Sequence, residues 1–295
     1  MKRHSLNDWV MATRPWSFPA SAIPVIATLA YLHWCGYEVN WVTGIWALVN
    51  IVFFHAAGNT WSDYHDYQHG VDSSDTYGAK TLTSGFFQPK EIYYLSIGIL
   101  IIALAGGVGL MLMTDFGLIW FGLGGILCTL LYPYLKYRAL GDAVIGLAYA
   151  WLPMWGTSYV TIDQVDMRVS LLAIPVGMIT IAILHANNTR DAQTDDSAHI
   201  VTLAMKLGHS KATLLYQFWI LFPFVYIAGC SMAGLFPWWT LLTMVALPLA
   251  WKNAHRIRHC SAQDISDIAS LDEDTAKLQL VFGLLFSISF FIASL

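Results

Sequence analysis

Charge is what this chain has least of. Only 12% of its 295 residues are Asp, Glu, Lys or Arg, about half of the roughly 25% usual in soluble globular proteins. That is too little to clothe a core of this size in water, which excludes a soluble globular domain. Cysteine is scarce as well. The four cysteines, Cys35, Cys128, Cys230 and Cys260, show no paired spacing and lie in or beside apolar runs; a disulfide framework and a zinc site are excluded, and they read as small core residues. A cleavable leader is not expected either. Ala20-Ser21-Ala22 has the look of a cleavage site, but Arg14 interrupts the apolar region ahead of it and the run continues through Ile26 and Leu32, so the first apolar run is expected to be retained. The net charge of -4 names no partner by itself, and no nucleic-acid partner is expected.

What the chain has in abundance is apolar sequence. Hydrophobic residues make up 57% of it, and the mean hydropathy is +0.55. Uncharged runs recur along the whole length, and several approach the ~20 residues that span ~30 Å of hydrocarbon. Candidate spans fall at 16–34, 42–58, 92–113, 116–134, 143–160, 169–185, 212–233, 237–251 and 278–295. The expected fold class is all-α: a polytopic membrane protein with about nine transmembrane helices in one bundle, a single domain over residues 1–295. Cytoplasmic loops hold Lys and Arg while opposite loops lack them, and on this reading all 15 basic residues except Arg168 fall on one side. An odd number of spans then sets the N-terminus in the cytoplasm and the C-terminus outside, in the cytoplasmic (inner) membrane. The long polar segments, 59–91, 135–142, 187–211 and 252–277, all lie on the cytoplasmic side, where an active site is therefore expected. Glycines 106, 107, 109, 122, 124 and 125 suit close helix contact in the third and fourth runs.

The second and sixth runs close alike. One ends in Asn59, Asp63 and Asp66, the other in Asn188, Asp191 and Asp195. At 100° per residue each triplet keeps within about 60° of arc, a single stripe along a helix. Oxygen-only clusters suit a hard cation, and Mg²⁺ is usually held by one or two carboxylates, with water and substrate phosphate completing the octahedron. Without a cation each stripe repels itself. Two stripes facing across a bundle suit two Mg²⁺ ions bridged by a diphosphate, with Lys80, Arg138, Arg190 and Lys206 as nearby positive charges. Two other readings stand beside this one. Acidic residues at a membrane interface are often only solvated helix ends, although that does not account for two matched stripes on one side. Carboxylates in membrane proteins also mark cation transporters, whose sites sit near the midplane; these four aspartates all lie past the end of an apolar run. His55 and His185, single histidines near span ends, are expected to be hydrogen-bonded packing and not ligands.

These residues resemble the motifs of the UbiA superfamily of intramembrane prenyltransferases. Its first motif, Asn-x-x-x-Asp-x-x-Asp, is matched by Asn59, Asp63 and Asp66 and extended by Gly70 and Asp72. The likeness runs over nearly the whole chain: TRPWSFPASAIPV at 13–25, TLTSG at 81–85, KYRALGD at 136–142, NNTRDAQTD at 187–195, TLAMKLG at 202–208 and TAKLQLVFGLLFS at 275–287. Within the superfamily, Tyr137-Arg138 and Asn187-Asn188-x-Arg190-Asp191 look most similar to the 1,4-dihydroxy-2-naphthoate polyprenyltransferases of menaquinone synthesis. Relatives acting on 4-hydroxybenzoate usually carry Lys-Arg and Pro-Gln in the 136–142 loop.

The resemblance implies one transmembrane prenyltransferase domain whose partners are the lipid bilayer, a polyprenyl diphosphate and an aromatic acceptor, with Mg²⁺ as cofactor. It implies Asn59, Asp63, Asp66, Asp191 and Asp195 as metal ligands, and the four aspartates with Arg138 as the catalytic set. Asn59, Asp72, Lys80, Tyr137, Asn188, Arg190 and Lys206 are implied as substrate-binding, and Arg14 or Arg138 as the partner of an acceptor carboxylate. There is one departure. Where the family commonly continues with Arg and then Gly-Lys, this chain has Asp196, His199 and Ile200, which leaves Arg190 and Lys206 as the local cations for a diphosphate.

Overall fold

The computed structural model describes residues 4–68, 80–136, 138–197, 201–262 and 264–295. Among them every regular element is helical: α1 (Leu6–Ala12), α2 (Pro19–Trp34), α3 (Trp41–Gln68), α4 (Pro89–Met113), α5 (Leu118–Lys136), α6 (Gly141–Gly146), α7 (Leu152–Ile162), α8 (Ser170–Arg190), α9 (Ala192–Ser197), α10 (Leu203–Leu207), α11 (His209–Met232), α12 (Leu247–His259) and α13 (Leu271–Ala293). The all-α polytopic membrane architecture stands, but the expectation of nine spanning helices is overturned. Five helices among the described residues are long and apolar enough to cross a membrane: Trp41–Gln68, Pro89–Met113, Met167–Arg190, His209–Met232 and Ser266–Ala293.

The difference arises because an apolar run is not always an unbroken helix. The 16–34 run opens with a 3-10 turn, Pro15–Ser17, and its helix α2 has 16 residues with Pro24 inside. The 116–134 run, by contrast, is one unbroken helix, α5, of 19 residues. In 143–160, α6 gives way to a π-helical turn, Leu147–Trp151, before α7 starts with Pro153 in its first turn. The 237–251 run begins as a 3-10 helix, Trp238–Ala246, and then enters α12, which carries Lys252, Arg256 and Arg258. Proline removes a backbone donor and clashes with the carbonyl four residues back. Hydrophobicity alone registers none of this.

The central post is α8. Some 72% of its span is buried, against 17% of that of α4. It packs on α11, α13, α6 and α2, with Leu172, Ala173, Val176, Ile179 and Ala182 wholly buried. Helix α4 lies along α3 and exposes Ile101, Ile102, Leu104, Val108 and Leu112, a surface suited to lipid. The two approach closely because Gly106 has no side chain: a Cβ there would overlap Asn50 Oδ1, and one on Gly109 would stand 3.0 Å from Trp46. Trp46 Nε1 donates to the Gly106 carbonyl at 3.0 Å. With 28 residues, α3 is ~42 Å long at 1.5 Å per residue. Its last turns, which carry Asp63 and Asp66, therefore outrun ~30 Å of hydrocarbon, with Asn59 one turn before them.

Candidate active site

One aspartate of each stripe, Asp66 and Asp195, lies near Tyr132 of α5. Helix α3 continues unbroken through Gln68, so Asn59, Asp63 and Asp66 share a face. The second stripe crosses a break: α8 stops at Arg190, Asp191 is its C-cap, and Asp195 sits on α9. The Asp191 N–H still donates to the Asn187 carbonyl and the Asp195 N–H to the Asp191 carbonyl, both at 2.8 Å, which keeps the two aspartates one turn apart. Tyr132, near the end of α5, lies within electrostatic range of Asp66 from the first stripe, Asp195 from the second, and Asp142 from α6.

In the first stripe, Asp63 is 3% exposed and pairs with the Arg14 guanidinium. Asn59 Nδ2 donates to the Thr13 carbonyl at 3.0 Å and to Ser17 Oγ at 2.9 Å, so the segment 13–17 lies across this stripe. Arg14 itself has a left-handed backbone, φ +56°, unusual for a residue with a side chain ahead of a proline; such conformations cost on the order of 1–3 kcal/mol and persist where surrounding contacts hold them. Asp66, half-buried, accepts from Ser62 Oγ at 3.2 Å. In the second stripe Asn188 and Asp195 are buried, and Asp191 takes the fork of Arg190 at 2.7 and 2.8 Å.

Lys206 Nζ donates to the Arg138 carbonyl at 3.3 Å, which brings these two sequence-predicted cations together; both side chains are exposed, as is Lys80. Asp72 and Tyr137 lie outside the described residues, as do Gly70, His199 and Ile200, while Asp196 is exposed.

Several partnerships carry no local signal in the sequence. Arg14 meets Asp63 from 49 residues away. His185 is fully buried, with Nδ1 2.8 Å from Asp142 Oδ2 and Nε2 3.0 Å from the Ala212 carbonyl. A carbonyl only accepts, so Nε2 carries a hydrogen, and the contacts tie α6, α8 and α11 together one turn before Asn188. His55 sits between the hydroxyls of Ser17 and Ser21, at 3.3 and 2.9 Å. Both histidines are hydrogen-bonded packing.

Among the described residues, no group of three or more His, Cys, Asp or Glu side chains stands close enough to enclose a cation. The donors present are nonetheless hard oxygens, two carboxylates to a stripe, the number with which Mg²⁺ is held when water and substrate phosphate complete its octahedron. The residues fit that ion.

The profile of the UbiA prenyltransferase family matches residues 21–269. A Drosophila melanogaster relative, UbiA prenyltransferase domain-containing protein 1 homolog, is 31% identical over 297 residues, covering 96% of this chain and 79% of its own. Among solved structures, the apo form of a UbiA homolog from Aeropyrum pernix K1 matches with a TM-score of 0.67 at 16% identity, over 95% of this chain and 97% of that one. A UbiA homolog from Archaeoglobus fulgidus bound to GPP and Mg²⁺ matches with a TM-score of 0.56 at 13% identity, over 95% and 99%. The two solved structures share the fold, and the profile and the fly relative extend the likeness to sequence: this chain belongs to the UbiA prenyltransferase family.

Proposed function

We propose that this protein transfers a polyprenyl group from a polyprenyl diphosphate to 1,4-dihydroxy-2-naphthoate, releasing diphosphate and carbon dioxide and giving demethylmenaquinol. The observation that carries the reading is the approach of one aspartate from each stripe, Asp66 and Asp195, to Tyr132 at the end of an apolar bundle. A substrate with a charged head and a lipid tail must touch both phases, and such a site does. The GPP and Mg²⁺ bound by the Archaeoglobus neighbour are of the same chemical kind, and the motif details at 136–142 and 187–191 favour the naphthoate acceptor over 4-hydroxybenzoate.

In this proposal Asp63, Asp66, Asp191 and Asp195, with Asn59 and Asn188, hold Mg²⁺. Bound there, the ion stabilises the charge that develops on the departing diphosphate. Lys80, Arg138 and Lys206 serve the diphosphate head and the acceptor carboxylate, with Asp72 and Tyr137 in the same substrate-binding set. The allylic carbon–oxygen bond breaks and its electron pair leaves with the diphosphate. The ring carbon that bears the carboxylate forms the new carbon–carbon bond, and loss of carbon dioxide restores the aromatic hydroquinone. The N-terminus is cytoplasmic and the C-terminus outside, so the acidic mouth opens to the cytoplasm.

The test is prenyl transfer by purified protein in detergent, with all-trans polyprenyl diphosphates of several lengths and 1,4-dihydroxy-2-naphthoate, with and without Mg²⁺, and 4-hydroxybenzoate in parallel. A Mg²⁺-dependent prenylated naphthoquinol with release of carbon dioxide is expected. Product with 4-hydroxybenzoate alone would reassign the acceptor. Folded protein that makes no product with either would remove the reading.

A further inference from the structure

Arginine presents five N–H donors in a planar fork and accepts nothing. At Arg190 all five have an acceptor. Nε and one Nη2 hydrogen grip the two carboxylate oxygens of Asp191 at 2.7 and 2.8 Å, and the other Nη2 hydrogen reaches Asn187 Oδ1 at 2.6 Å. Nη1 divides its two between the Ala269 carbonyl at 3.0 Å and Asp272 Oδ1 at 3.1 Å. The side chain is 3% exposed. A guanidinium so placed reaches a phosphate only by giving up one of these bonds, and its charge is already met by two carboxylates.

Its position explains why such an anchor is needed. Asp191 is the C-cap of α8, at the break before α9, where the intrahelical backbone hydrogen bonding ends. Asp272 lies in the first turn of α13, where the helix dipole favours a carboxylate, and α13 packs along α2 and α8 in the core. Through Arg190, the carboxylate of Asp191 is referred to that rigid element. A carboxylate offers about four lone-pair sites; the fork takes two and leaves two for a cation.

We propose that Arg190 and Asp272 are positioning residues, a fixed clamp that aims Asp191 at a divalent cation, and that Arg190 does not bind the diphosphate. The proposal rests on Asp191 being a metal ligand. Groups that orient metal ligands typically change metal affinity by ~10–100-fold when removed.

The experiment is a Mn²⁺ titration followed by electron paramagnetic resonance on purified protein in detergent, beside the donor KM at saturating Mg²⁺. Asp272→Asn and Arg190→Lys are each expected to weaken Mn²⁺ binding by ~10-fold or more and to leave the donor KM within about twofold of wild type, whereas Asp272→Glu, which keeps the charge, restores most of the affinity. Unchanged Mn²⁺ binding in Asp272→Asn, or Arg190→Lys that raises the donor KM tenfold while binding Mn²⁺ normally, would overturn the clamp. Wild-type protein that binds no Mn²⁺, or binding that Asp63→Asn and Asp191→Asn leave untouched, would overturn the metal reading and the clamp with it. Should Asp272→Asn fail to fold, Arg190→Lys and Asp272→Glu carry the same comparison.

Discussion

Asp63 and Asp191 are each met by an arginine, but the two arginines differ in condition. Arg190 is buried with all its donors placed, whereas Arg14 is partly exposed, stands on a left-handed backbone, and has a buried Nε without a partner. Removing one member of a buried ion pair costs about 3–5 kcal/mol, and less here because Arg14 reaches solvent. In the proposed mechanism Arg14 supplies positive charge to the buried Asp63 carboxylate before a cation binds. Arg14→Ala is expected to lower the thermal midpoint of the metal-free protein, and added Mg²⁺ to raise that midpoint by more than it does in wild type; equal Mg²⁺ shifts in the two proteins would sink the idea. Asp63→Ala and Asp191→Ala should each reduce prenyl transfer on the order of 100-fold or more while the protein stays in the membrane. Asp163→Asn, at the far end and on a left-handed backbone that Asn tolerates, should leave turnover unchanged, and full activity in either aspartate variant would end the reading of the stripes as metal sites. The stripe of Asn59, Asp63 and Asp66 is legible in sequence because its spacing is local and helical. The pairs Arg14–Asp63, His185–Asp142 and Arg190–Asp272 are not, since 49, 43 and 82 residues separate their members and no short-range pattern marks them.

Between helices, what a glycine lacks decides how close two backbones come. Gly106 and Gly98 are both on α4, one facing Asn50 of α3 and the other with nothing within 4 Å of where a Cβ would stand. Gly106→Ala must push Asn50 aside in a packed interface, and a loss of about 1–3 kcal/mol is expected. Gly98→Ala adds a methyl in open space and reduces the freedom of the unfolded backbone, a gain of about 0.5–1 kcal/mol. Unfolding in detergent followed by intrinsic fluorescence measures both, and shifts of the same sign would remove the packing account. Of the glycines that the sequence suggests for close contact, Gly122 and Gly125 also have open space around them, because composition says which residues permit an approach and not which helix approaches. Span continuity was hidden for a related reason. The apolar runs are visible as composition, but the π-helical turn at Leu147–Trp151 and the 3-10 helix at Trp238–Ala246 are properties of backbone hydrogen bonding, which a run of hydrophobic residues leaves open.

Across the whole molecule the two ends are unlike. One holds the Arg14–Asp63 pair, the Arg190–Asp191–Asp272 group, the Arg256–Asp274 pair and the exposed Lys206. The other holds Arg168 on Asp166 and the Tyr159 hydroxyl on Asp115. With five long spanning helices among the described residues in place of nine, orientation no longer follows from counting runs and rests on this asymmetry of basic charge, which favours the Lys- and Arg-rich end in the cytoplasm. In protein with Cys35, Cys128, Cys230 and Cys260 replaced by Ser, Asp163→Cys and Lys90→Cys place single thiols at exposed positions of opposite ends. A membrane-impermeant maleimide applied to intact cells is expected to label the thiol at 163, and the thiol at 90 only after permeabilisation. The reverse pattern would turn the acidic mouth away from the cytoplasm, from which the proposed reaction draws its acceptor and diphosphate donor. It would overturn the orientation and leave the helix packing and the two stripes as they are, because neither depends on which side of the bilayer they face.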